Sequence, residues 1–532
     1  MNASAGTPGP TIPSAAAAAA DRFAFQTAIE DGTTGLTYAQ LFEEARTFGA
    51  ALAASGIEPG DRVGIWGPNS VEWVVALLGL AQAGAVLVPV NTRFKGREAA
   101  DLLGRGGVRA LVTVTDFLGT DYLALLRDAR SVLPALDTVI VTHGPVPDDG
   151  ESWEGFMDRA GPTHRAEVDR RSSSLGPDDP SDILFTSGTT GVPKGVVMTH
   201  GRTLGVATDW VAMTGLGPDD RYLMVNPYFH MFGLKAGILA CMVAGATMLP
   251  EPVFDVDRIL GRVDGERVTV LPGPPTLYQS ILDHPHRQRF RLGSLRVAVT
   301  GAADIPVALV RRIHEELPFS TVVTGYGLTE AGTAAATSPG DDPETIATTV
   351  GRPRPGFELR IVDDGVDVPA GQPGEVVLRG GSVMAGYLDD PGATALALSP
   401  DGWLRTGDVG TIDELGYLRI VGRLKDMFIV GGFNAYPAEI ENALLRHPDV
   451  EQVAVIGIPD GRLGEVGMAF VVARPGHASA SEVIGWCRHE MANYKVPRVV
   501  EFVDRIPVNA TGKVMKDDLR RKAAHRASGA VP

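Results

Sequence analysis

The chain has 532 residues, which exceeds one ordinary domain and provides enough apolar surface for large buried cores. Hydrophobic residues make up 44% of it, which excludes an intrinsically disordered chain. The formal net charge of −16 argues against nucleic acid or an anionic membrane as the main partner, so an anionic ligand would need a local basic site.

The N-terminal composition and the cysteine count further limit the class of protein. Residues 1–20 are rich in Ala, Pro, Gly and Ser, and we interpret them as a disordered start that leads into the first helix. Their alanine run lacks the basic beginning of a secretory signal. No run of about 18 strongly apolar residues occurs, so we predict no membrane span. Cys241 and Cys487 have no metal-binding spacing and suit a reducing cytoplasm, which is the predicted location.

Helical and strand patterns alternate along the first part of the chain. The sequence TYAQ at 37–40 fits a capping box, with apolar residues at helical spacing behind it. The predicted helices run from Thr37 to Gly56, from Asn69 to Gly84 and over 96–105, and the predicted strands run over 62–66, 85–89 and 110–114. Such alternation indicates an α/β domain with a mostly parallel sheet. The polar residues 145–180 favour a surface connection.

The second half resumes this alternation and then changes character. Buried strands are predicted over 268–271, 297–300 and 321–324, and helices over 274–283 and 306–316. From Val350 onward, Gly, Pro and Asp separate short β segments, which indicates a β subdomain. Beyond Lys425, helical and strand patterns at 437–445, 452–458, 468–473, 480–493 and 498–503 indicate a compact α+β unit.

The predicted fold class is therefore α/β with two domains. A large N-terminal domain of α/β layers occupies 21–424, and its β subdomain covers 350–424. A small C-terminal α+β domain occupies 425–532.

The most distinctive stretch is FTSGTTGVPKG at 185–195, with short apolar strands predicted on both sides. Its glycines allow backbone amides to approach an anion, and its hydroxyls and Lys194 add donors and positive charge. The spacing differs from the usual P-loop, which leads into a helix. A solvated turn is the alternative, but so ordered a set of donors favours a phosphate-binding loop.

A second stretch, GYGLTE at 325–330, follows a predicted buried strand, and ligands bind at such strand ends in α/β sheets. Tyr326 can stack on a purine, Thr329 can donate to a phosphate, and Glu330 offers the oxygen ligand that Mg²⁺ prefers. Upstream, TGAA at 300–303 ends a neighbouring strand with side chains small enough for a base or an acyl group to pack on. Taken alone, each stretch is equally consistent with tight packing.

Three further motifs have ordinary structural explanations when taken alone. Asp408, in WLRTGD, is typical of a turn-capping residue, and Lys513, in NATGK, is typical of a solvated surface charge. His230, in NPYFHMFG, lies beside aromatic residues and is typical of a packed core. No Ser/His/Asp nucleophile set and no His/Cys metal cluster stands out.

Taken together and in order, these motifs resemble those of the adenylate-forming enzymes: acyl-CoA synthetases, carrier-protein adenylation domains and luciferases. The resemblance extends through GEV at 374–376 and GGFN at 431–434 to Lys513, and so covers nearly the whole chain. It implies a mobile C-terminal domain with Lys425 as the hinge. It also implies two steps: ATP and a carboxylic acid give acyl-AMP and pyrophosphate, and a thiol then attacks the adenylate and releases AMP.

The resemblance assigns roles to individual residues. Lys513 is implied to bridge the substrate carboxylate and the α-phosphate, which stabilises charge as two anions meet. Thr186 and Glu330 are implied to hold Mg²⁺. His230 is also counted with the catalytic residues, because it is implied to line the acyl pocket, but no proton transfer is assigned to it. The implied ATP and AMP contacts are Thr186, Ser187, Gly188, Thr189, Thr190, Gly191, Lys194, Gly301, Ala302, Ala303, Gly325, Tyr326, Gly327, Thr329, Asp408, Arg423 and Lys513.

Coenzyme A is the expected thiol, because no carrier domain follows Lys513 and YKVPR at 494–498 is similar to a segment of acyl-CoA synthetases. Its expected contacts are Gly431, Gly432, Lys495 and Arg498, although plain surface roles for the two basic residues stay open. One alternative is a free-standing adenylation enzyme that loads a carrier protein. Another is a non-catalytic nucleotide-binding regulator, which the intact Lys513 and Glu330 disfavour. A homodimer stays open.

The acyl pocket is expected to comprise residues 226–238, 271–276 and 300–303, which are mostly apolar. An amino acid substrate is disfavoured, because its ammonium would need a buried carboxylate. These segments look similar to those of CoA ligases for the ring-derived propionates of bacterial steroid breakdown, as does YLDD at 387–390, which is expected to lie away from the pocket. Medium-chain fatty acids and aryl acids are the alternatives. The expected substrate contacts are Tyr228, His230, Lys235, Pro274, Gly301 and Gly327.

Overall fold

The structure is a computed structural model that describes residues 10–32, 34–127, 133–186, 193–301, 305, 307–430, 433–474, 479–509 and 513–528. The helices alternate with strands through the first two-thirds of the chain, as the sequence predicts. The α-helices are Ile12–Arg22, Tyr38–Ala54, Val71–Gln82, Gly96–Arg105, Tyr122–Arg127, Trp153–Met157, Pro162–Ser174, His200–Thr214, Met231–Gly233, Ala240–Ala244, Val256–Glu266, Pro275–Leu282, Val307–Glu316, Pro343–Thr348, Pro391–Ala397, Pro437–Leu444, Ala480–Glu490 and Lys516–Ser528. A π-helix spans Leu234–Leu239 and a 3₁₀ turn Arg287–Arg289.

An eight-stranded sheet forms the first layer of the large domain. In spatial order its strands are Gly386–Tyr387, Lys194–Thr199, Pro180–Thr186, Val86–Pro89, Arg62–Trp66, Val108–Val114, Thr138–His143 and Glu151–Ser152. The pairs from Pro180–Thr186 to Glu151–Ser152 are parallel, and the remaining two pairs are antiparallel. The interior strands are mostly apolar, as parallel strands with both faces covered require, and Asp182 is a buried exception.

Two four-stranded sheets form the second layer. One contains Arg221–Met224, Thr247–Pro250, Thr27–Asp31 and Thr34–Thr37, and the other Val297–Thr300, Thr321–Leu328, Gly332–Ala336 and Arg352–Pro353. The predicted strand at 268–271 is instead a buried connecting segment, in which Val270 bridges Tyr222 on one side and Val297 on the other. Its isolated bridges join the two sheets into one continuous layer.

The N-terminal prediction is wrong for part of its range. Residues 12–20 are helical, because Thr11 caps the helix Ile12–Arg22 in a capping box and Pro13 fits its first turn. Ile12, Ala16 and Ala19 are buried in the main core, so alanines that lack strong apolar character still anchor this helix by close packing.

The connection at 145–180 is also more ordered than the sequence predicts. It carries the helices Trp153–Met157 and Pro162–Ser174, and Phe156 and Val168 are fully buried. Trp153 stacks on Phe48 with ring centroids 5.1 Å apart. Tertiary packing onto Tyr38–Ala54 therefore outweighs the weak local helical pattern.

The β subdomain and the C-terminal unit follow in chain order. The subdomain is an antiparallel five-stranded sheet of Val366–Asp367, Phe357–Asp363, Gly374–Gly380, Leu404–Ile412 and Leu418–Arg423. The C-terminal unit has a five-stranded sheet of Phe433–Ala435, Phe428–Val430, Gly464–Ala473, Val450–Asp460 and Val499–Phe502. The fold is thus mixed α/β with a large N-terminal and a small C-terminal domain. Among the described residues, no helix is long and apolar enough to cross a membrane.

Candidate active site

The predicted phosphate loop connects two antiparallel strands of the eight-stranded sheet. Thr186, at the end of the first strand, pairs with Lys194, at the start of the second. A strand therefore follows the loop, in agreement with the sequence and unlike the strand-to-helix P-loop. The predicted contacts Ser187, Gly188, Thr189, Thr190 and Gly191 lie outside the described residues.

Lys194 and Glu330 come from different layers and meet at one tyrosine. The phenolic Oη of Tyr387 donates to Oε1 of Glu330 at 3.0 Å. The ammonium of Lys194 lies over the Tyr387 ring, 4.9 Å from its centroid. Burial raises the pKa of the Glu330 carboxyl, and the hydrogen bond from Tyr387 opposes that rise. The sequence assigns Tyr387 no role in the nucleotide site, so this contact is not predicted.

The ends of two parallel strands supply the small residues of the predicted nucleotide pocket. Val297–Thr300 and Thr321–Leu328 are neighbours, so Gly301 follows directly beside Gly325. A Cβ on Gly301 would lie 3.3 Å from the Gly325 carbonyl oxygen, and a Cβ on Gly327 would lie 2.4 Å from the Gly332 oxygen. Close backbone packing thus already requires glycine at Gly327. Thr329 lies partly exposed beside Glu330, whereas Ala302 and Ala303 are outside the described residues.

Asp408, in the β subdomain, accepts hydrogen bonds from two side chains. Tyr326 Oη donates to Asp408 Oδ2 at 2.7 Å, and Arg423 Nε lies 2.9 Å from Oδ1. Asp408 and Arg423 are cross-strand partners, which fixes this geometry. Asp408 is 4% exposed, and the remaining lone pairs of its carboxylate can accept ribose hydroxyls. The Tyr326 ring, predicted to stack on a purine, is buried with its hydroxyl committed to Asp408.

The predicted acyl segment is held in place by Asn69. Its side-chain Nδ2 donates to the carbonyl oxygens of Met224 and Asn226 at 2.8 and 3.0 Å, and its Oδ1 accepts from Tyr228 N at 2.9 Å. The sequence predicts instead that Asn69 opens a helix, but Ser70 caps that helix.

Tyr228 and His230 lie at the start of this segment. The side chain of Tyr228 is fully buried, and its ring meets Trp73 edge-on at 5.4 Å. His230 Nδ1 accepts from Phe232 N at 3.2 Å and caps Met231–Gly233. Burial lowers the pKa of His230 to about 4, so the imidazole is neutral at neutral pH. Pro274 is partly exposed just before the helix Pro275–Leu282.

Lys235 requires a correction. Its side chain is fully buried, and Nζ lies 2.9 Å from Oδ1 of Asp182, which is also buried. The ammonium that the sequence offers to a substrate is therefore paired inside the protein, because a buried cation without a counter-charge is too costly. Asp182 precedes the phosphate loop by a few residues, and this long-range partner has no local signal in the sequence.

Lys513 lies in the C-terminal unit, where its main chain bonds to Asn509. Lys513 N donates to Oδ1 of Asn509 at 2.9 Å, and Asn509 N donates to the Lys513 carbonyl oxygen at 2.8 Å. Val508 and Val514 form an isolated bridge beside it. The Lys513 residue is exposed.

Lys425 lies exposed in the turn between Leu418–Arg423 and Phe428–Val430, strands that belong to different sheets. The next residue, Asp426, is paired with Arg520 at 2.7 Å. Burial favours the neutral acid, but the Arg520 hydrogen bond and nearby cations outweigh it and lower the pKa of Asp426. The predicted hinge residue Lys425 is thus next to a residue that is ion-paired with the last helix.

The predicted CoA contacts are only partly described. Lys495 is paired with the Glu439 carboxylate, and Arg498 Nη2 donates to the backbone and side-chain oxygens of Asn493 at 3.2 Å each. Both cations therefore have partners within the protein. Gly431 and Gly432 lie outside the described residues.

A divalent cation would depend on the nucleotide as well as on the protein. Among the described residues, no group of three or more His, Cys, Asp or Glu side chains is arranged to hold a metal ion. Magnesium commonly uses one or two carboxylates together with substrate phosphates. Glu330, with Thr186 at the base of the phosphate loop, fits that pattern, and the ion would neutralise phosphate charge there.

The chain belongs to the AMP-binding enzyme family, whose model matches residues 14–388, and the AMP-binding enzyme C-terminal domain matches residues 439–513. The chain is 50% identical over 516 residues to a 3-((3aS,4S,7aS)-7a-methyl-1,5-dioxo-octahydro-1H-inden-4-yl)propanoyl:CoA ligase of Rhodococcus jostii, covering 96% of this chain and 98% of that protein. It is 53% identical to the ligase of the same name from Mycobacterium tuberculosis, covering 88% and 90%. A feruloyl-CoA synthase of Amycolatopsis is 38% identical, covering 93% and 96%.

Solved structures agree with these relatives. The anthranilate CoA ligase AuaEII in complex with anthranoyl-AMP superposes with a TM-score of 0.87 at 28% identity, covering 99% of this chain and 100% of that one. ATP-bound MatB from Rhodopseudomonas palustris gives 0.84 at 30% identity, covering 96% and 99%.

The chain is therefore an acyl-CoA ligase of the adenylate-forming type, and its co-substrates and cofactor are ATP, CoA and Mg²⁺. This supports the CoA ligase interpretation over a carrier-loading enzyme or a non-catalytic regulator.

Proposed function

We propose that this enzyme converts a propionate carried on a methylated, two-ring diketone into its CoA thioester. The observation that carries the proposal is the identity of 50% and 53% to two ligases named for that acyl group, each matched over at least 88% of this chain. The acyl segments of this chain, 226–238, 271–276 and 300–303, are mostly apolar, as a fused carbocycle requires.

Buried polar side chains in and beside these segments suit a ketone. Within the described part of the chain, the buried Oη of Tyr228, Nε1 of Trp73 and Oγ1 of Thr300 have no hydrogen-bond partner. Each can donate a hydrogen bond, and a ketone oxygen can only accept one. A buried donor without a partner is costly, so a carbonyl group that reached one of them would relieve that cost.

The roles of the individual residues are part of the proposal. Lys194 would bind the terminal phosphates of ATP, Asp408 and Arg423 would hold the ribose, and Glu330 would hold Mg²⁺. The exposed Lys513 would reach the reacting carboxylate and α-phosphate when the C-terminal domain turns about Lys425. Tyr228 and His230 would border the acyl group. Lys495 and Arg498 would have to release their protein partners to meet CoA, which makes them the weakest members of the set.

A competing candidate is an aryl or medium-chain fatty acid. The feruloyl-CoA synthase at 38% identity favours it, because ferulate is a planar aromatic acid that also fits an apolar pocket. The bicyclic diketone differs from octanoate and from a cinnamate in offering ring carbonyls to buried donors.

The deciding experiment measures AMP release with CoA present for the bicyclic propionate, octanoate and a cinnamate. We expect the bicyclic acid to have a kcat/KM at least ten-fold above the others, a difference of about 1.4 kcal/mol in transition-state binding. Tyr228→Phe should reduce that preference while leaving octanoate turnover unchanged. If octanoate or the cinnamate exceeds the bicyclic acid ten-fold, the substrate proposal fails.

Two further expectations accompany the enzyme. We propose that it works in the cytoplasm, where ATP and CoA are available and where two unpaired buried cysteines are stable. A homodimer is the second expectation, and light scattering on the purified protein tests it.

A further inference from the structure

Tyr387 touches two oppositely charged residues of the proposed ATP site, Glu330 and Lys194. Its hydroxyl donates to Glu330 Oε1 at 3.0 Å, and its ring lies beneath the Lys194 ammonium, 4.9 Å from the centroid. A ring face attracts a cation, and a phenol donates to a carboxylate. One side chain thus satisfies a positive and a negative group at the same time.

Backbone hydrogen bonds fix the strand that carries Tyr387 to both sides of the site. Met384 N donates to the Glu330 carbonyl oxygen at 2.7 Å, and Leu388 N donates to the Gly195 carbonyl oxygen at 2.7 Å. Ala385 N donates to Val197 O at 2.9 Å. Segment 384–388 therefore crosses from the Glu330 turn to the strand that follows the phosphate loop, and the position of Tyr387 relative to both is set by main chain.

We propose that Tyr387 is a positioning residue that orients Glu330 and Lys194 for Mg²⁺ and ATP. An unscreened lysine and carboxylate at close range attract each other and would pair directly. Tyr387 gives each a separate partner, so the ammonium stays directed to the phosphates and the carboxylate to the metal ion. The inference rests on the proposed site assignment for Lys194 and Glu330.

Tyr417 offers a matched control. Its hydroxyl donates to Oδ1 of Asp341 at 2.7 Å, and Arg352 lies over its ring at 4.2 Å. It thus repeats the arrangement of cation, ring and carboxylate outside the proposed ATP site. Tyr417→Phe removes the same chemical contact without touching Lys194 or Glu330.

The test is calorimetric titration of MgATP into the full-length enzyme without acid substrate, so that no turnover occurs. Tyr387→Phe should weaken MgATP binding about ten-fold. Tyr417→Phe should bind as the wild type does. In a second readout, thioester formation from synthetic acyl-AMP and CoA should be unchanged in Tyr387→Phe, because that step involves neither Mg²⁺ nor the terminal phosphates.

A double-mutant cycle with Glu330→Gln distinguishes the positioning role of Tyr387 from the assignment of Glu330 to the MgATP site. Tyr387→Phe should have little additional effect in the Glu330→Gln background, because the carboxylate it positions is gone, while any general folding effect would persist in both backgrounds. Equal effects of Tyr387→Phe in both backgrounds would overturn the positioning role. Wild-type MgATP binding by Glu330→Gln would instead overturn the site assignment itself.

Discussion

The ammonium of Lys235 lies 2.9 Å from Oδ1 of Asp182, and both side chains are closed to solvent. The hydroxyls of Ser181 and Thr203 donate to the other oxygen, Oδ2, at 2.7 and 2.6 Å. Asp182 lies on the strand that leads into the phosphate loop, and Lys235 lies in the π-helix Leu234–Leu239 after the acyl segment. The ion pair therefore joins the strand that leads into the phosphate loop to the helix that follows the predicted acyl segment.

Replacing one member of this ion pair should destabilise the protein more than replacing both. Lys235→Met leaves the Asp182 charge buried without a cation, and we expect a loss of about 3–5 kcal/mol in the free energy of unfolding. The double variant Lys235→Met, Asp182→Asn should recover most of that loss, because no uncompensated charge remains. Chemical denaturation measures both, with the exposed Lys522→Met as the control. Additive losses in the double variant would contradict a coupled pair.

Lys513 should act in adenylation and not in thioester formation. With acid and ATP, Lys513→Ala should nearly abolish pyrophosphate release, because two anions must then meet without a bridging cation. Given synthetic acyl-AMP and CoA, the same variant should still form thioester. Lys516→Ala, on the same C-terminal segment, is the comparison for general damage. Equal loss in both half-reactions would show that the assigned role is wrong.

Lys425 should be needed for the rotation of the C-terminal domain between the two half-reactions. It lies in a turn between two sheets, and hinges are found at such element ends. Lys425→Pro restricts φ and should slow thioester formation more than adenylation. Lys425→Ala, which removes the side chain but not the backbone freedom, should keep both rates. Wild-type rates for the proline variant would remove Lys425 as the hinge.

Acid should destabilise the N-terminal part of the enzyme through His200. Burial lowers the pKa of His200 to about 4, although the nearby Asp182 and Asp179 oppose that shift. The unfolded chain binds the proton more readily, so stability is full above about pH 6.5 and falls as pH approaches 4, by about 3 kcal/mol in total. His200 Nδ1 accepts from Ile12 N at 3.4 Å, which links this loss to the first helix.

The measurement is the unfolding temperature between pH 7 and 4.5. His200→Asn keeps an acceptor without the titration, so its stability should fall less steeply than that of the wild type. The exposed His489→Asn serves as the control and should follow the wild type. Parallel curves for all three proteins would remove His200 as the cause.

The sequence by itself determined the class of enzyme and most of the local structure. Helices such as Tyr38–Ala54 follow from apolar spacing and a capping box, and strands such as Val297–Thr300 follow from short apolar runs. The order of the glycine-rich loop, GYGLTE and the C-terminal lysine is likewise a one-dimensional pattern. These features depend on neighbours in the chain, and neighbours are visible in a sequence.

Only the tertiary structure decided which side chains share a partner. Asp182 and Lys235 are 53 positions apart, and Glu330 and Tyr387 are 57 apart, so no local pattern relates them. Tyr387 therefore looks remote in sequence although it touches Lys194 and Glu330, and Lys235 looks available although Asp182 holds it. Burial makes the difference, because a charge removed from water must find its counterpart wherever the fold places one.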